Sequence, residues 1–291
     1  MYYLNNEKYN IFFTIHNSNY FFIFFKILGP NKSSYLGGKL FELIGPFFRS
    51  KKLINSNIKK ALPNINSEDL KKITKLMWNN YGRVFAEYLF IKEFRYGKLS
   101  KNIKVEGQEF LDQIKAENNQ VIFVSAHFGN FELMAMCLDK SGINLSAIYR
   151  PLNNIFLNKI MERIRKKYIC KNQIKKGIGG LRELFILNKQ NYSTALMIDQ
   201  RVSEGIFSNF FNQRALTTTI PAQLAKKFNQ PIIPVYIERV KDINFKIIIN
   251  KPINFSKNDS IQHITDELNK ILEEMILKKP EQWIWSHNRW K

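Results

Sequence analysis

The chain has 291 residues and 45% hydrophobic content, enough for one large core and too few for several independent ones. Its 45 Lys and Arg against 24 Asp and Glu leave a formal charge of +21, which directs the molecule toward an anionic partner: nucleic acid, acidic lipid or an acidic carrier protein. Cys137 and Cys170 stand without CxxC or His–Cys spacing, so neither a zinc site nor a disulfide framework is indicated, and 24 Phe with 12 Tyr turn the choice toward a half-wet interface such as a membrane.

At the amino terminus, residues 11–15 and 20–28 are apolar, but His16, Asn17, Ser18 and Asn19 separate them and Lys26 interrupts the second run. A clean span needs about 20 predominantly apolar residues, and no small-x-small cleavage site follows. Residues 1–34 are therefore expected to form an apolar membrane-anchoring segment lying at the interface, with a buried core helix as the alternative, ahead of a single domain over 35–291. The lead-in of that domain, 35–100, reads as helical. Leu36, Leu40, Leu43 and Ile44 recur at three-to-four spacing, Pro63 and Asn64 break the run, and Ser67-Glu68-Asp69 opens the next helix with carboxylates in its first turn. Arg49, Lys51, Lys52, Lys59, Lys60, Lys71 and Lys72 decorate this stretch, either as a surface for anionic headgroups or as an ordinary solvated face.

After about residue 102 the period changes. Continuous apolar runs at 121–124, 194–198 and 232–237 have strand length, and helical patterns at 133–138, 158–167, 181–187 and 221–228 fill the intervals before a last amphipathic helix at 266–277. The alternation predicts an α/β fold: a central, mostly parallel or mixed sheet flanked by helices.

In such sheets, sites form at the carboxyl ends of strands. Ser125-Ala126-His127-Phe128-Gly129-Asn130-Phe131-Glu132 follows the first buried run directly. Gly129 and Asn130 supply a turn, Asn130 is a good N-cap for a helix starting at Phe131, and Glu132 then sits in the first turn. A carboxylate accepting one imidazole N–H fixes the tautomer and raises the basicity of the other nitrogen, so His127 is a candidate general base with Glu132 as its orienting partner. Tyr149-Arg150-Pro151 ends a second strand-like run, Arg163 and Arg165 lie in a basic helix, and Asp199-Gln200-Arg201 ends another buried run. The segment 280–291 holds three of the four Trp, a density that suits a membrane-interface belt or the wall of an acyl pocket, with core packing as the alternative.

Together these residues resemble the lipid A biosynthesis acyltransferase family, the late lauroyl and myristoyl transferases. The resemblance rests on the ordered succession of the His127 to Glu132 box, Tyr149-Arg150-Pro151 with the two Asn that follow, Asp199-Gln200, Phe210-Phe211 with Thr217-Thr218-Thr219, and the Pro280-Glu281-Gln282-Trp283 to Arg289 tail. It implies a glycerol-phosphate-acyltransferase-like fold with an amino-terminal helical membrane-associated segment. It also implies transfer of a fatty acyl chain from an acyl carrier protein thioester, or from acyl-CoA as in some relatives, to a hydroxyl of a lipid A precursor, at the cytoplasmic face of a bacterial inner membrane. His127, Glu132 and Arg165 would be catalytic, Arg165 stabilising the oxyanion with Arg163 as second choice, or else holding Glu132 or a substrate phosphate in a bidentate grip. Asn130, Arg150, Arg163, Asp199 and Gln200 would bind substrate. No metal or cofactor is called for, and no acyl-enzyme is expected because the box holds no Ser or Cys nucleophile. Two other enzyme acceptors, a glycerophospholipid or another glycolipid, would suit the same box. Outside enzymes, a basic nucleic-acid-binding protein would suit +21, though no recognised binding motif appears; an inactive membrane scaffold is the third reading.

Overall fold

The computed structural model describes residues 2–152 and 155–291, and the side chains of 23–152, 158–177 and 179–291. Helix α1 (Tyr2–Phe48) is broken at Gly29, whose φ of 76° and ψ of 168° leave the helical region. The break falls where Pro30 has no N–H to continue the ladder and disfavours helical backbone in the residue before it. Helix α2 (Lys51–Ala61) starts on the Ser50 hydroxyl, which accepts the Leu53 N–H, and α3 (Ser67–Glu87) starts on the Asn66 side chain, which accepts the Asp69 N–H. Small residues let α1 lie tightly along α3. A Cβ on Gly37 would stand 2.7 Å from the Gly82 carbonyl oxygen, and one on Gly45 would stand 2.4 Å from the Trp78 indole. The lead-in closes with a 3₁₀ turn at Tyr88–Phe90, α4 (Ile91–Tyr96) and a second 3₁₀ turn at Lys98–Asn102.

The sheet portion then alternates β1 (Ile103–Glu106), α5 (Gln108–Ala116), β2 (Ile122–Ser125), α6 (Phe131–Lys140), β3 (Leu145–Tyr149), α7 (Ile155–Tyr168), β4 (Asn172–Lys175), α8 (Ile178–Lys189) and β5 (Ser193–Met197). A hairpin follows, β6 (Ile206–Phe210) and β7 (Gln213–Thr217), then α9 (Ile220–Phe228), β8 (Ile232–Lys241), β9 (Asn244–Ile249), α10 (Ile261–Lys278) and a 3₁₀ turn at Pro280–Gln282. The seven-stranded sheet has the order β1-β9-β8-β2-β5-β3-β4. Of its neighbouring pairs only β8 and β9 run antiparallel, so the sheet is mostly parallel, as the alternation of strand and helix requires. Every residue of β2 is buried, the condition under which a strand reads as an unbroken apolar run. The sequence reading does not pick out β1, β4 and β9 or the β6–β7 hairpin; each is partly exposed, and β4, Asn172-Gln173-Ile174-Lys175, has a single apolar residue.

Among the described residues no helix is long and apolar enough to cross a membrane. Position 34/35 falls inside α1, where Ser33 and Ser34 are both buried. The apolar run at 11–15 and the start of the one at 20–28 lie outside the residues whose side chains are described.

Candidate active site

The register of the two central strands assembles the site. Ser125 of β2 pairs with Met197 of β5, and His127 and Asp199 each stand two residues further on, so both emerge side by side at the carboxyl edge of the sheet. His127 Nδ1 lies 2.8 Å from Asp199 Oδ1, and the His127 backbone N–H donates to Asp199 Oδ2 at 3.0 Å. The Trp283 indole N–H donates to the same oxygen at 2.8 Å. Burial alone would raise the Asp199 pKa. The histidine and the convergent donors outweigh that effect and hold the carboxyl well below its ordinary range. An ionised carboxylate can only accept, so Nδ1 carries the proton and Nε2 keeps its lone pair, with the Gln200 amide 3.5 Å from it. For the imidazole, burial opposes protonation, but the Asp199 charge and hydrogen bond prevail and the pKa is raised above 6.5.

The expectation that Glu132 receives the imidazole N–H is therefore corrected. Five residues along a turn and a helix start carry the Glu132 carboxylate away from Nδ1, and it is taken instead by Arg165 of α7, whose Nε donates at 3.0 Å while Nη2 closes the fork. Both side chains are nearly enclosed, at 7% and 13% exposure. Burial works against the Arg165 charge, yet the Glu132 carboxylate more than compensates and its pKa is raised. The guanidinium also faces the Tyr149 ring at 5.7 Å. The pair lies close enough to act on His127, Glu132 favouring its charged form and Arg165 opposing it.

Asn130 has the N-cap position of α6, but its side chain caps nothing. Its amide donates at 2.9 Å to Glu87 at the end of α3. Glu87 is fully buried and gathers four donors: both terminal nitrogens of Arg239 from β8, the Ser34 hydroxyl from α1 at 2.6 Å, and Asn130. Nearby, Asn80 donates to the Gly129 carbonyl and accepts from Arg239 Nε, and the Gly129 N–H donates to the Gln282 carbonyl at 3.1 Å. The turn between His127 and Glu132 is thus held from α1, α3, β8 and the tail at once. Gly129, with φ of 44°, leaves no room to spare: a Cβ there would come within 3.3 Å of the Gln282 amide oxygen and the Ile237 carbonyl.

Asn130 and Asp199 were expected to touch substrate; the structure encloses both, at 1% and 0% exposure, and gives each a protein partner. Gln200 remains at the imidazole. Arg150 and Arg163 are exposed and are not brought to the His127 cluster. The two Asn after Pro151 lie outside the described residues. In the tail Trp283 and Trp285 are buried and Trp290 is half-buried against Phe210, which is the core-packing alternative, and Trp283 serves the Asp199 carboxylate. Sequence reasoning also passed over the Glu87–Arg239 pair, which lies 152 residues apart in the chain. It passed over His287 as well. That ring accepts the Arg201 N–H at 3.0 Å and burial lowers its pKa to about 4, which keeps it neutral beside Asp199.

This arrangement offers a histidine with a fixed tautomer, a second ring nitrogen that no carboxylate occupies, and a nearly enclosed guanidinium–carboxylate pair beside it. A model of the bacterial lipid A biosynthesis acyltransferases matches residues 8–291. The chain is 23% identical to the lipid A biosynthesis palmitoleoyltransferase of Escherichia coli (strain K12), over 88% of its own length and 84% of the relative's. It is 22% identical to the lauroyltransferase of the same organism, over 84% and 79% of the two chains, and 19% identical to its myristoyltransferase, over 85% and 76%. With the family's pattern covering nearly the whole chain, the chain belongs to the bacterial lipid A biosynthesis acyltransferase family.

Proposed function

We propose that this acyltransferase moves a fatty acyl chain from an acyl carrier protein thioester to a hydroxyl of a lipid A precursor, working at the cytoplasmic face of the inner membrane. The observation that carries the reading is the His127–Asp199 pair, which leaves Nε2 as the one ring nitrogen able to accept a proton. A hydroxyl near neutral pH is a poor nucleophile, and a positioned base is worth typically about 10² to 10⁴-fold. Nε2 takes the hydroxyl proton as the oxygen attacks the thioester carbonyl. The carbonyl oxygen gains the negative charge, which the Arg165 guanidinium stabilises. Collapse of the tetrahedral species breaks the C–S bond, and the imidazolium returns its proton to the departing thiolate.

In this mechanism Asp199 replaces Glu132 as the residue that orients the base. Glu132 instead holds Arg165 in a two-pronged grip that a lysine could not accept. Gln200 is the residue of the expected binding set best placed to meet the acceptor. Arg150 and Arg163, both exposed, would meet a phosphate or the carrier only outside this cluster. The charge of +21 favours both an anionic membrane and an acidic carrier.

The decisive experiment supplies the purified protein with acyl carrier protein thioesters of several chain lengths and a tetraacylated lipid A precursor, and weighs the lipid products. A product heavier by one acyl chain is expected. Failure of every thioester, carrier-bound or coenzyme A-bound, to acylate the precursor while a glycerophospholipid is acylated would overturn the acceptor assignment.

A further inference from the structure

The second half of α1 has two faces of opposite character. Ser34, Gly37, Phe41 and Gly45 form the stripe turned toward α3, where the glycines meet Gly82 and Trp78 and Phe41 meets Tyr81 and Phe85. Leu36, Leu43 and Phe47, at helical spacings of seven and four, form another stripe on the opposite side, exposed among the described residues and increasingly so toward Phe47. Leu43 is 73% exposed, Phe47 89% and Phe48 65%. Phe48 is held in place by stacking on Phe41 at 6.4 Å.

Directly after these residues the charge changes. Arg49, Lys51 and Lys52 are exposed, and the start of α2 opens a groove of about 800 Å³ lined by Lys51, Lys52, Asn55, Ser56, Lys59 and Lys60 with Pro63 and Gln213. No carboxylate lines it. Among the described residues none of these lysines is in an ion pair, and Lys60 rests against the Trp290 ring at 5.6 Å. Large apolar side chains projecting beside unpaired cations match an anionic bilayer, whose interior takes the apolar bodies and whose phosphates take the ammonium groups. An acidic protein would satisfy the lysines and leave the helix stripe above them wet.

We infer that the α1–α2 elbow is a membrane-contact surface: Leu43, Phe47 and Phe48 enter an anionic bilayer at its interface and the α2 lysines engage lipid phosphates. This locates lipid contact in the part of α1 packed on α3, beyond the amino-terminal 34 residues. It deepens the proposed function, because the elbow is coupled to the site. The Asn57 amide of α2 donates to the Trp285 carbonyl at 2.8 Å and to the His287 carbonyl at 2.7 Å, and the same tail carries Trp283 to Asp199. A lipid surface gripped by the elbow therefore stands at a fixed place relative to His127.

The test is co-sedimentation of the full chain with phosphatidylcholine vesicles, with and without phosphatidylglycerol. For Phe47→Ser with Phe48→Ser, partitioning should fall by at least about tenfold, since two large aromatic side chains lose their burial. For Lys51→Glu with Lys52→Glu, the preference for phosphatidylglycerol vesicles should disappear, and added salt should weaken the wild type most. Ile186→Ser, at another exposed apolar position on α8, should bind as wild type. A second reading, independent of how the double variants fold, is the emission of Phe47→Trp, which acyl-chain-brominated phospholipid should quench beyond the wild-type background. Wild-type partitioning of both double variants, or no added quenching, overturns the inference. So does a lysine variant that keeps its vesicle binding while losing transfer from the acyl carrier protein, because the groove would then belong to the donor. Transfer to detergent-dispersed acceptor should persist in Phe47→Ser with Phe48→Ser, so loss of the elbow and loss of the catalytic reading give different results.

Discussion

Glu87 holds together four parts of the molecule, and replacing it by Met isolates what that is worth. The carboxylate is fully buried, and its removal strands the Arg239 guanidinium, itself 8% exposed, without a counter-charge. Breaking a buried pair from one side typically costs about 3–5 kcal/mol. For 291 residues the unfolding entropy near the midpoint is about 0.6 kcal/mol/K, so the melting temperature should fall by about 5–8 °C. Adding Arg239→Met removes the stranded charge. Both variants leave the Ser34 hydroxyl and the Asn130 amide without their acceptor, at about 1–3 kcal/mol each when unsatisfied, and Arg239→Met also takes the donor from Asn80 Oδ1 and the Asp242 carbonyl. The double variant should accordingly be less destabilised than the sum of the two single variants. It should still turn over slowly, since Asn130 no longer anchors the turn that presents His127. Differential scanning calorimetry in detergent, read beside product formation, separates these effects. If the two substitutions simply add in destabilisation, the pair is not the coupled unit the geometry describes.

His127→Ala should lower turnover by orders of magnitude while the melting temperature and vesicle binding hold, because the lost interaction acts in the transition state; near-normal turnover removes the base from the mechanism. The raised pKa of His127 sets the sign of the pH profile: the base works only when neutral, so kcat/KM should rise with pH through an apparent pKa above 6.5. In Asp199→Asn that pKa should move down and turnover should fall by about 10² to 10⁴-fold, since an amide neither holds the charge nor fixes the tautomer; an unmoved profile would mean that Asp199 does not set the base. Arg165→Lys keeps the charge but not the fork on Glu132, and turnover should drop steeply with a much smaller change for the exposed neighbour Lys166→Ala. Equal activity of Arg165→Lys and wild type would pass the oxyanion role to another group near Gly129.

The parts of the fold legible in the sequence were those whose burial is uniform. β2, β5 and β8 read as unbroken apolar runs, and helices α6 to α10 show their period because one face of each meets the sheet. β4 escaped notice because a strand with wet positions and a single apolar residue resembles a loop. At the site, His127 and Glu132 stood out through their spacing, but spacing along a turn does not say where a carboxylate points. The partner of the imidazole lies 72 residues away. The available signal was positional: His127 and Asp199 both follow the carboxyl ends of buried runs, three residues past 124 and one past 198, and parallel pairing of those runs would bring them to one edge of the sheet. Asn130 was read as a cap from its residue type, whereas a buried acceptor, Glu87, outcompeted the helix end for its amide.

The bond from Trp283 to Asp199 has a consequence in time as well as in space. His127, Asp199 and Trp283 are drawn from positions separated by 72 and 84 residues, so none of their contacts can form while the chain is still local in its folding. The segment 280–290 is synthesised after every strand of the sheet. Until it arrives and bridges Phe128 through Trp283, Asp199 lacks its indole donor and the turn at Gly129 lacks its Gln282 contact. A nascent chain already displaying both His127 and Asp199 is therefore without an assembled acyl-transfer site, and a chain cut before Pro280 should keep its sheet and remain inert.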